Sequence, residues 1–125
     1  MTAPIRIATA DDHPPFRDAA RALVTAMPDF ELVGESADGE EALRLVRECD
    51  PDMVLLDVRM DGMDGIEVAS RLSAEDPTRV IVLVSSADLR PLAGLARSCG
   101  ADALVHKHWL TRNLLRGLWA VHRRR

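Results

Sequence analysis

The stretch "DMVLLDVRMDGMDGIEVASRLSAEDPTRVIVLVSS" (residues 52–86) decides the fold. It opens with "DMVLLD" (52–57) and closes with "RVIVLVSS" (79–86), two short runs that are apolar nearly throughout. Strands read this way when both faces of their sheet are covered. Between them, "MDGIEVASRLSA" (63–74) has helical spacing. A strand, a helix and a second strand make a crossover unit, so the two strands are predicted to run parallel with a right-handed connection.

The pattern repeats outward in both directions. Upstream, "IRIATA" (5–10) is a predicted strand that runs into Asp11 and Asp12. "PPFRDAARALVTAM" (14–27) places apolar residues at 16, 19, 20, 23, 24 and 27, and its two prolines suit a helix start, where missing N–H groups matter least. "FELVGESA" (30–37) is a second strand, and "DGEEALRLVREC" (38–49) opens a helix with Asp38 and Glu41 in capping-box spacing. Downstream, "LRPLAGLARSC" (89–99) is a weaker helix. Pro91 fits only its first turn, and Gly94 costs about 1 kcal/mol relative to Ala. "ADALVHK" (101–107) is a fifth strand, and "LTRNLLRGLWAVH" (110–122) a final helix. Five strand–helix units in succession predict an α/β fold: a doubly wound three-layer sandwich around a parallel five-stranded sheet.

Composition narrows the function. A chain of 125 residues suggests one domain, here residues 1–125. With 47% hydrophobic and 29% charged residues, disorder is excluded. No apolar run is long enough to span a bilayer, and "MTAPIRIATADD" has no signal-peptide layout, so a cytoplasmic protein is expected. A net charge of −4 argues against direct nucleic-acid binding by this chain alone. Cys49 and Cys99 fit neither a CxxC nor a zinc spacing. The chain has no Tyr, two Phe and two Trp, so its core must be aliphatic.

In such sheets function gathers beyond the carboxyl ends of the strands. Asp11 and Asp12 follow the first predicted strand, Asp57 ends the third, Ser85 and Ser86 end the fourth, and Lys107 ends the fifth. In the flavodoxin-like order 2-1-3-4-5, strands 1 and 3 are neighbours, and three carboxylates face one another. They repel unless protonated or bridged by a cation, and oxygen-only ligands favour magnesium over zinc. His13 is expected to begin a helix and point away. Lys107 is the only lysine; every other one of the sixteen Lys and Arg residues is arginine. A position reserved for a small mobile ammonium is therefore of interest.

These residues resemble the receiver domain of two-component response regulators, a CheY-like phosphoacceptor module. The likeness runs from "IRIATADDHPPFRDAARALV" through "PDMVLLDVRMDGMDGIEVASRL" and "RVIVLVSS" to "CGADALVHK". The segments "DDHP" and "GESADGEEAL" are most similar to the NarL/LuxR subgroup. The resemblance implies the strand order 2-1-3-4-5. It implies that Asp57 is the phosphoacceptor, and that Asp11 and Asp12 bind Mg²⁺ with Asp12 the direct ligand. The backbone carbonyl of Arg59 completes the protein's share of the metal shell. Ser85 matches the switch hydroxyl, and Lys107 the lysine that pairs with a phosphoryl oxygen. A sensor histidine kinase is the implied donor. The chain would then be a self-catalysed switch and not a turnover enzyme.

The sequence also departs from the family. Leu104 stands where an aromatic residue usually swings inward, and Asp61 replaces a loop proline. His106 and His108 flank Lys107, which suggests pH-dependent phosphoryl retention. Arg59 and Ala87 occupy positions that tune hydrolysis of the phosphoryl group in the family. NarL-type regulators carry a helix-turn-helix domain after the receiver; the expectation here is a receiver domain alone, either a stand-alone receiver or a piece cut from a longer regulator, with its arginine tail reading as a solvated terminus or linker start. A tryptophan left on the surface, Trp109 or Trp119, would anchor a homodimer or another partner. Two competing readings are a degenerate receiver that binds partners without phosphorylation, and a haloacid-dehalogenase-type phosphatase. The second needs D-x-D after its first strand, where this chain has "DD" after strand 1 and "DVR" after strand 3. No G-x-x-x-x-G-K or G-x-G-x-x-G occurs, which disfavours nucleotide binding.

Overall fold

The computed structural model describes residues 3–123. Arg124 and Arg125 of the arginine end, and Met1 and Thr2 of the N-terminal stretch, lie outside the described residues. The element order is β1 (Ile5–Ala10), α1 (Pro14–Thr25), β2 (Phe30–Ser36), α2 (Gly39–Cys49), β3 (Met53–Asp57), α3 (Gly65–Glu75), β4 (Val80–Ser85), α4 (Ala93–Ser98), β5 (Ala103–His106) and α5 (Arg112–His122). The strands form one parallel sheet in the order β2-β1-β3-β4-β5. This is the expected doubly wound topology.

The alternation along β3 and β4 explains why both run apolar from end to end. Met53, Leu55, Val80, Val82 and Val84 pack with Val24 of α1 and Leu115 of α5. Val54, Leu56, Ile81 and Leu83 face the other way, onto Val46 of α2 and Val68 and Leu72 of α3. Each such side chain, fully buried, contributes roughly 1.5–3 kcal/mol. The edge strands β2 and β5 are only partly covered and carry more polar residues. Among the described residues no helix is long and apolar enough to cross a membrane.

Local chemistry sets the element ends. Pro14 and Pro15 open α1 as expected. The helix stops at Thr25, two residues early, because Pro28 disfavours helical backbone at Met27. Asp38 Oδ1 accepts from the Glu41 N–H (2.8 Å), the first half of a capping box. The return bond comes one residue early, from the Ala37 N–H to Glu41 Oε1 (3.2 Å). Asp64 caps α3 by accepting from the Glu67 N–H (2.9 Å). At Gly65 a β-carbon would collide with the carbonyl oxygen of Asp57, so α3 begins directly against the end of β3. The predicted weak helix at 89–99 divides into a 3-10 turn (Arg90–Leu92) holding Pro91 and the short α4.

One expectation is corrected. Lys107 does not end β5; it is the first residue of a 3-10 turn, Lys107–Trp109. The His106 ring accepts a hydrogen bond from the His108 N–H and turns the chain there. Trp109 is left 72% exposed, whereas Trp119 is half-buried beside the Leu115 cluster.

Candidate functional site

Parallel β1 and β3 are hydrogen-bonded neighbours, so the residues beyond their carboxyl ends meet. One carboxylate oxygen from each of Asp11, Asp12 and Asp57 lies within 4.8 Å of the others. Asp11 and Asp57 are buried, and Asp12 is half-buried. His13 is the exposed N-cap residue of α1, without a side-chain cap bond, and supplies none of these three ligand atoms; it nevertheless lines the same cleft as Asp12 and Asp57, where the sequence reading has it pointing away.

The backbone holds Asp11 firmly. Its N–H donates to the Ser36 carbonyl (3.0 Å), and its Oδ1 accepts from the His13 N–H (2.8 Å). Arg17 Nη1 donates to its carbonyl (2.8 Å). Asp11 Oδ2 lies 2.7 Å from Lys107 Nζ, but in an ion-pair contact whose alignment leaves that oxygen without a hydrogen bond. The same ammonium is 3.5 Å from Asp57 Oδ2 and 4.5 Å from the centre of the Phe16 ring. One cation therefore serves two buried carboxylates and an aromatic face.

Asp57 receives the weaker share. Its Oδ1 accepts a long bond from the Arg59 N–H (3.3 Å). Burial, and then the negative charge of Asp11, push its carboxyl up from 3.8 to about 6; Lys107 and the Arg59 N–H only partly oppose this. Ser85 ends β4, two strands along the same edge from Asp11, and its Oγ accepts from the Ala87 N–H (3.1 Å). Asp12, Asp57, Arg59, Ser85, Ala87 and Lys107 share the lining of one cleft of about 350 Å³. A larger hollow between α1 and α5, about 540 Å³, is lined mainly by alanine and leucine and holds no carboxylate.

The structure thus brings Asp11, Asp12, Asp57, Ser85 and Lys107 to one place, with Arg59 beside them. Asp61 lies exposed in the loop after β3, outside the carboxylate cluster. Leu104 is half-buried and packs toward the cluster between the sheet and α2–α4. Sequence reading missed two contributors. Phe16 reads as an ordinary apolar helix position with no local signal of its contact with Lys107, and Arg17, six residues along the chain from the Asp11 carbonyl it binds, has no role in that reading. The three-carboxylate set, with Asp11 Oδ2 lacking a hydrogen bond, suits a hard oxygen-seeking divalent cation.

Residues 7–118 match the family model of the response regulator receiver domain. The chain is 34% identical over 115 residues to the nitrate/nitrite response regulator protein NarL of Escherichia coli K12, covering 92% of this chain and 53% of that protein. It is 44% identical over 86 residues to the transcriptional regulatory protein LiaR of Bacillus subtilis, covering 67% of this chain and 40% of that protein. The chain spans about half the length of the curated relatives it matches. Among solved structures, the signal receiver domain of a NarL response regulator from Mycobacterium tuberculosis superposes with a TM-score of 0.88 at 29% identity, covering 97% of this chain and 98% of that one. A LuxR-family two-component response regulator from Aurantimonas gives 0.86 at 32% identity, covering 98% and 89%. With a family match over nearly its whole length, the same fold and an acidic cleft at the carboxyl edge of the sheet, this chain belongs to the response regulator receiver domains of two-component signalling, in the NarL-like group.

Proposed function

We propose that the chain is a phosphorylation-driven switch in which Asp57 accepts a phosphoryl group from a sensor histidine kinase. The observation that carries this is the state of Asp57: a buried carboxylate, under-neutralised and open to a cleft, with a lysine ammonium 3.5 Å away. An Asp57 oxygen attacks phosphorus as the bond to the donor's imidazole nitrogen breaks. Such transfers need positioning and neutralisation of charge more than covalent assistance. Asp11, Asp12, Asp57 and the backbone carbonyl of Arg59 would hold Mg²⁺, which supplies that neutralisation when bound.

The chain's own groups do the rest. The aspartyl phosphate adds roughly −1.5 to −2 of charge if it resembles other protein phosphates. Lys107, poised between Asp11 and Asp57, follows that charge as a mobile point partner, a task for which a guanidinium fork is ill suited. Ser85 leaves its weak contact with the Ala87 N–H to donate its hydroxyl to a phosphoryl oxygen. The altered Ser85 and Lys107 positions are the signal read by a partner. In keeping with the relatives' names, we assign the output to transcription regulation in the cytoplasm. The receiver itself (1–125) contributes no direct DNA contact, and the exposed Trp109 anchors a second copy or the kinase.

Intact-protein mass after incubation with acetyl phosphate and Mg²⁺ tests the reading, beside Asp57→Ala and a magnesium-free control. One added phosphoryl group that needs both Asp57 and Mg²⁺ is expected. No adduct on folded protein, with no beryllofluoride binding either, would favour a receiver that binds partners without phosphorylation.

A further inference from the structure

The loop that follows Ser85 and the turn carrying Lys107 are bridged by one side chain. His106 Nδ1 lies 3.2 Å from the His108 N–H, and its Nε2 lies 3.1 Å from the Ser86 carbonyl oxygen. A backbone N–H only donates and a backbone carbonyl only accepts. The two contacts together therefore fix the ring: Nδ1 is bare, Nε2 carries the proton, and the ring is neutral. His106 sits opposite Ser85 in the β4–β5 register and caps the 3-10 turn that begins at Lys107. Ser85 Oγ in turn accepts from the Ala87 N–H on the far side of Ser86.

We propose that His106 is a positioning residue for the phosphoacceptor site: as the neutral Nε2–H tautomer it sets Lys107 and Ser85 at a fixed spacing, and as the imidazolium it releases the Lys107 turn. This rests on the phosphoacceptor reading above and adds a regulation of that site. The asymmetry is chemical. Protonating Nδ1 leaves the bond to Ser86 intact, because Nε2 still donates. It abolishes the bond from the His108 N–H, because the ring then has no acceptor. The loss falls on one element, the turn that carries Lys107, and spares the contact with Ser86, the residue after Ser85.

The charged neighbours leave this assignment intact. The β4–α4 connection contributes Asp88 and Arg90, which pair with each other at 2.7 Å. The turn contributes Lys107, directed to Asp11, and His108, whose ring meets the His106 ring edge-on with centres 4.9 Å apart. Arg97 is the basic residue of the last turn of α4, and β4 ends in the uncharged Ser85. His108 is the second imidazole of this turn, so His108→Ala is a necessary control.

The test uses the full chain with His106→Asn, His106→Ala and His108→Ala. Asparagine accepts from the N–H two residues on, as in an Asx-turn, and does not titrate. Phosphorylation by acetyl phosphate and Mg²⁺ is followed by intact mass from about pH 7.5 to about pH 5.5, across the range where histidines change charge. Imidazole nitrogen shifts are read by NMR on the same samples, with the Trp109 indole reporting the turn. We expect the Nε2–H tautomer and a Trp109 shift that tracks His106 protonation. His106→Ala should slow phosphorylation about three- to ten-fold, the scale of a small misplacement of a reacting group. His106→Asn should recover most of that rate and fall less steeply on the acid side than the wild type, the fall that remains belonging to Asp57, whose carboxyl is pushed up to about 6; His108→Ala should leave the rate at neutral pH alone. An Nδ1–H tautomer, or equal pH profiles in the wild type and His106→Asn, would overturn the proposal. If the wild type takes up no phosphoryl group, the phosphoacceptor reading fails by itself. The positioning device then stands or falls on whether the Trp109 shift depends on His106.

Discussion

Both ends of the sheet are lined with aspartates, and they are wired in opposite ways. At the amino end each has a donor of its own. Arg116 grips Asp29 with two bonds (2.8 and 2.9 Å), and Arg79 reaches Asp50 at 2.7 Å. Asp52 accepts from the Arg6 N–H (2.9 Å) and Asp102 from the Ile81 N–H (2.8 Å). Asp76 takes the Thr78 hydroxyl at 2.6 Å. The Arg116 bond holds the Asp29 carboxyl below the usual carboxylate range, and the Thr78 hydroxyl does the same for Asp76. At the carboxyl end three carboxylates cluster, one ammonium serves two of them, and Asp57 is pushed up to about 6. Satisfied charges at one end secure the fold; under-satisfied charges at the other fit the proposed phosphoacceptor role.

The contrast can be attacked from both sides, and Arg79 should give the largest effect. Its guanidinium is buried, donates to the Pro51 carbonyl (3.0 Å) and joins the α2 end to the start of β4. Arg79→Met strands that carbonyl and should cost about 2–4 kcal/mol, read from urea unfolding. A loss near zero would show that the amino-end wiring is not structural.

Asp57→Asn should act in the opposite direction. A carboxyl whose folded pKa is raised destabilises the fold when ionised. That penalty is full above about pH 6, fades as pH falls, and is gone below the unfolded value of 3.8. The raised value corresponds to about 3 kcal/mol at most, so metal-free Asp57→Asn should gain about 2 kcal/mol at neutral pH. The gain should vanish near pH 4 and shrink when Mg²⁺ is added to both proteins. A stability gain that persists at low pH would place its cause in packing instead of charge.

Two smaller effects refine the comparison. Asp29→Asn breaks an ion pair whose side chains are both more than two-fifths exposed, so thermal unfolding should change by no more than about 0.5 kcal/mol. Asp61→Pro removes an exposed charge from the loop after β3. It should change Mg²⁺ affinity and the phosphorylation rate by about two-fold, less at high salt. Unchanged values would leave Asp61 as an ordinary loop residue.

The fold was legible because the core pattern is local. Two apolar runs flanking a helical segment imply a covered parallel strand pair before any contact is known, and Asp38 and Asp64 cap the helices near where the pattern places them. The strand order was not legible from periodicity; it came with the family resemblance. At the site, the residue types at the strand ends pointed to Asp11, Asp12, Asp57, Ser85 and Lys107. What stayed hidden depends on approach across the fold. Nothing near Phe16 signals a ring under an ammonium 91 residues later in the chain, and nothing near Arg79 signals a buried guanidinium. Lys107 read as a strand residue because alternation continues into it, while the turn that displaces it is made by the ring of His106.

The packing of Gly65 against the Asp57 carbonyl has a consequence for reading sequence variation. Position 65 bears no side chain, yet any residue other than glycine there must push on the backbone of Asp57, the proposed phosphoacceptor. In a saturation screen scored on signalling output, position 65 should therefore be as intolerant as the acidic residues, and its losses would imitate those of a chemical group. Separating the two takes a second screen scored on folded abundance: substitutions at 65 should fail both, whereas Asp57→Asn should fail only the first.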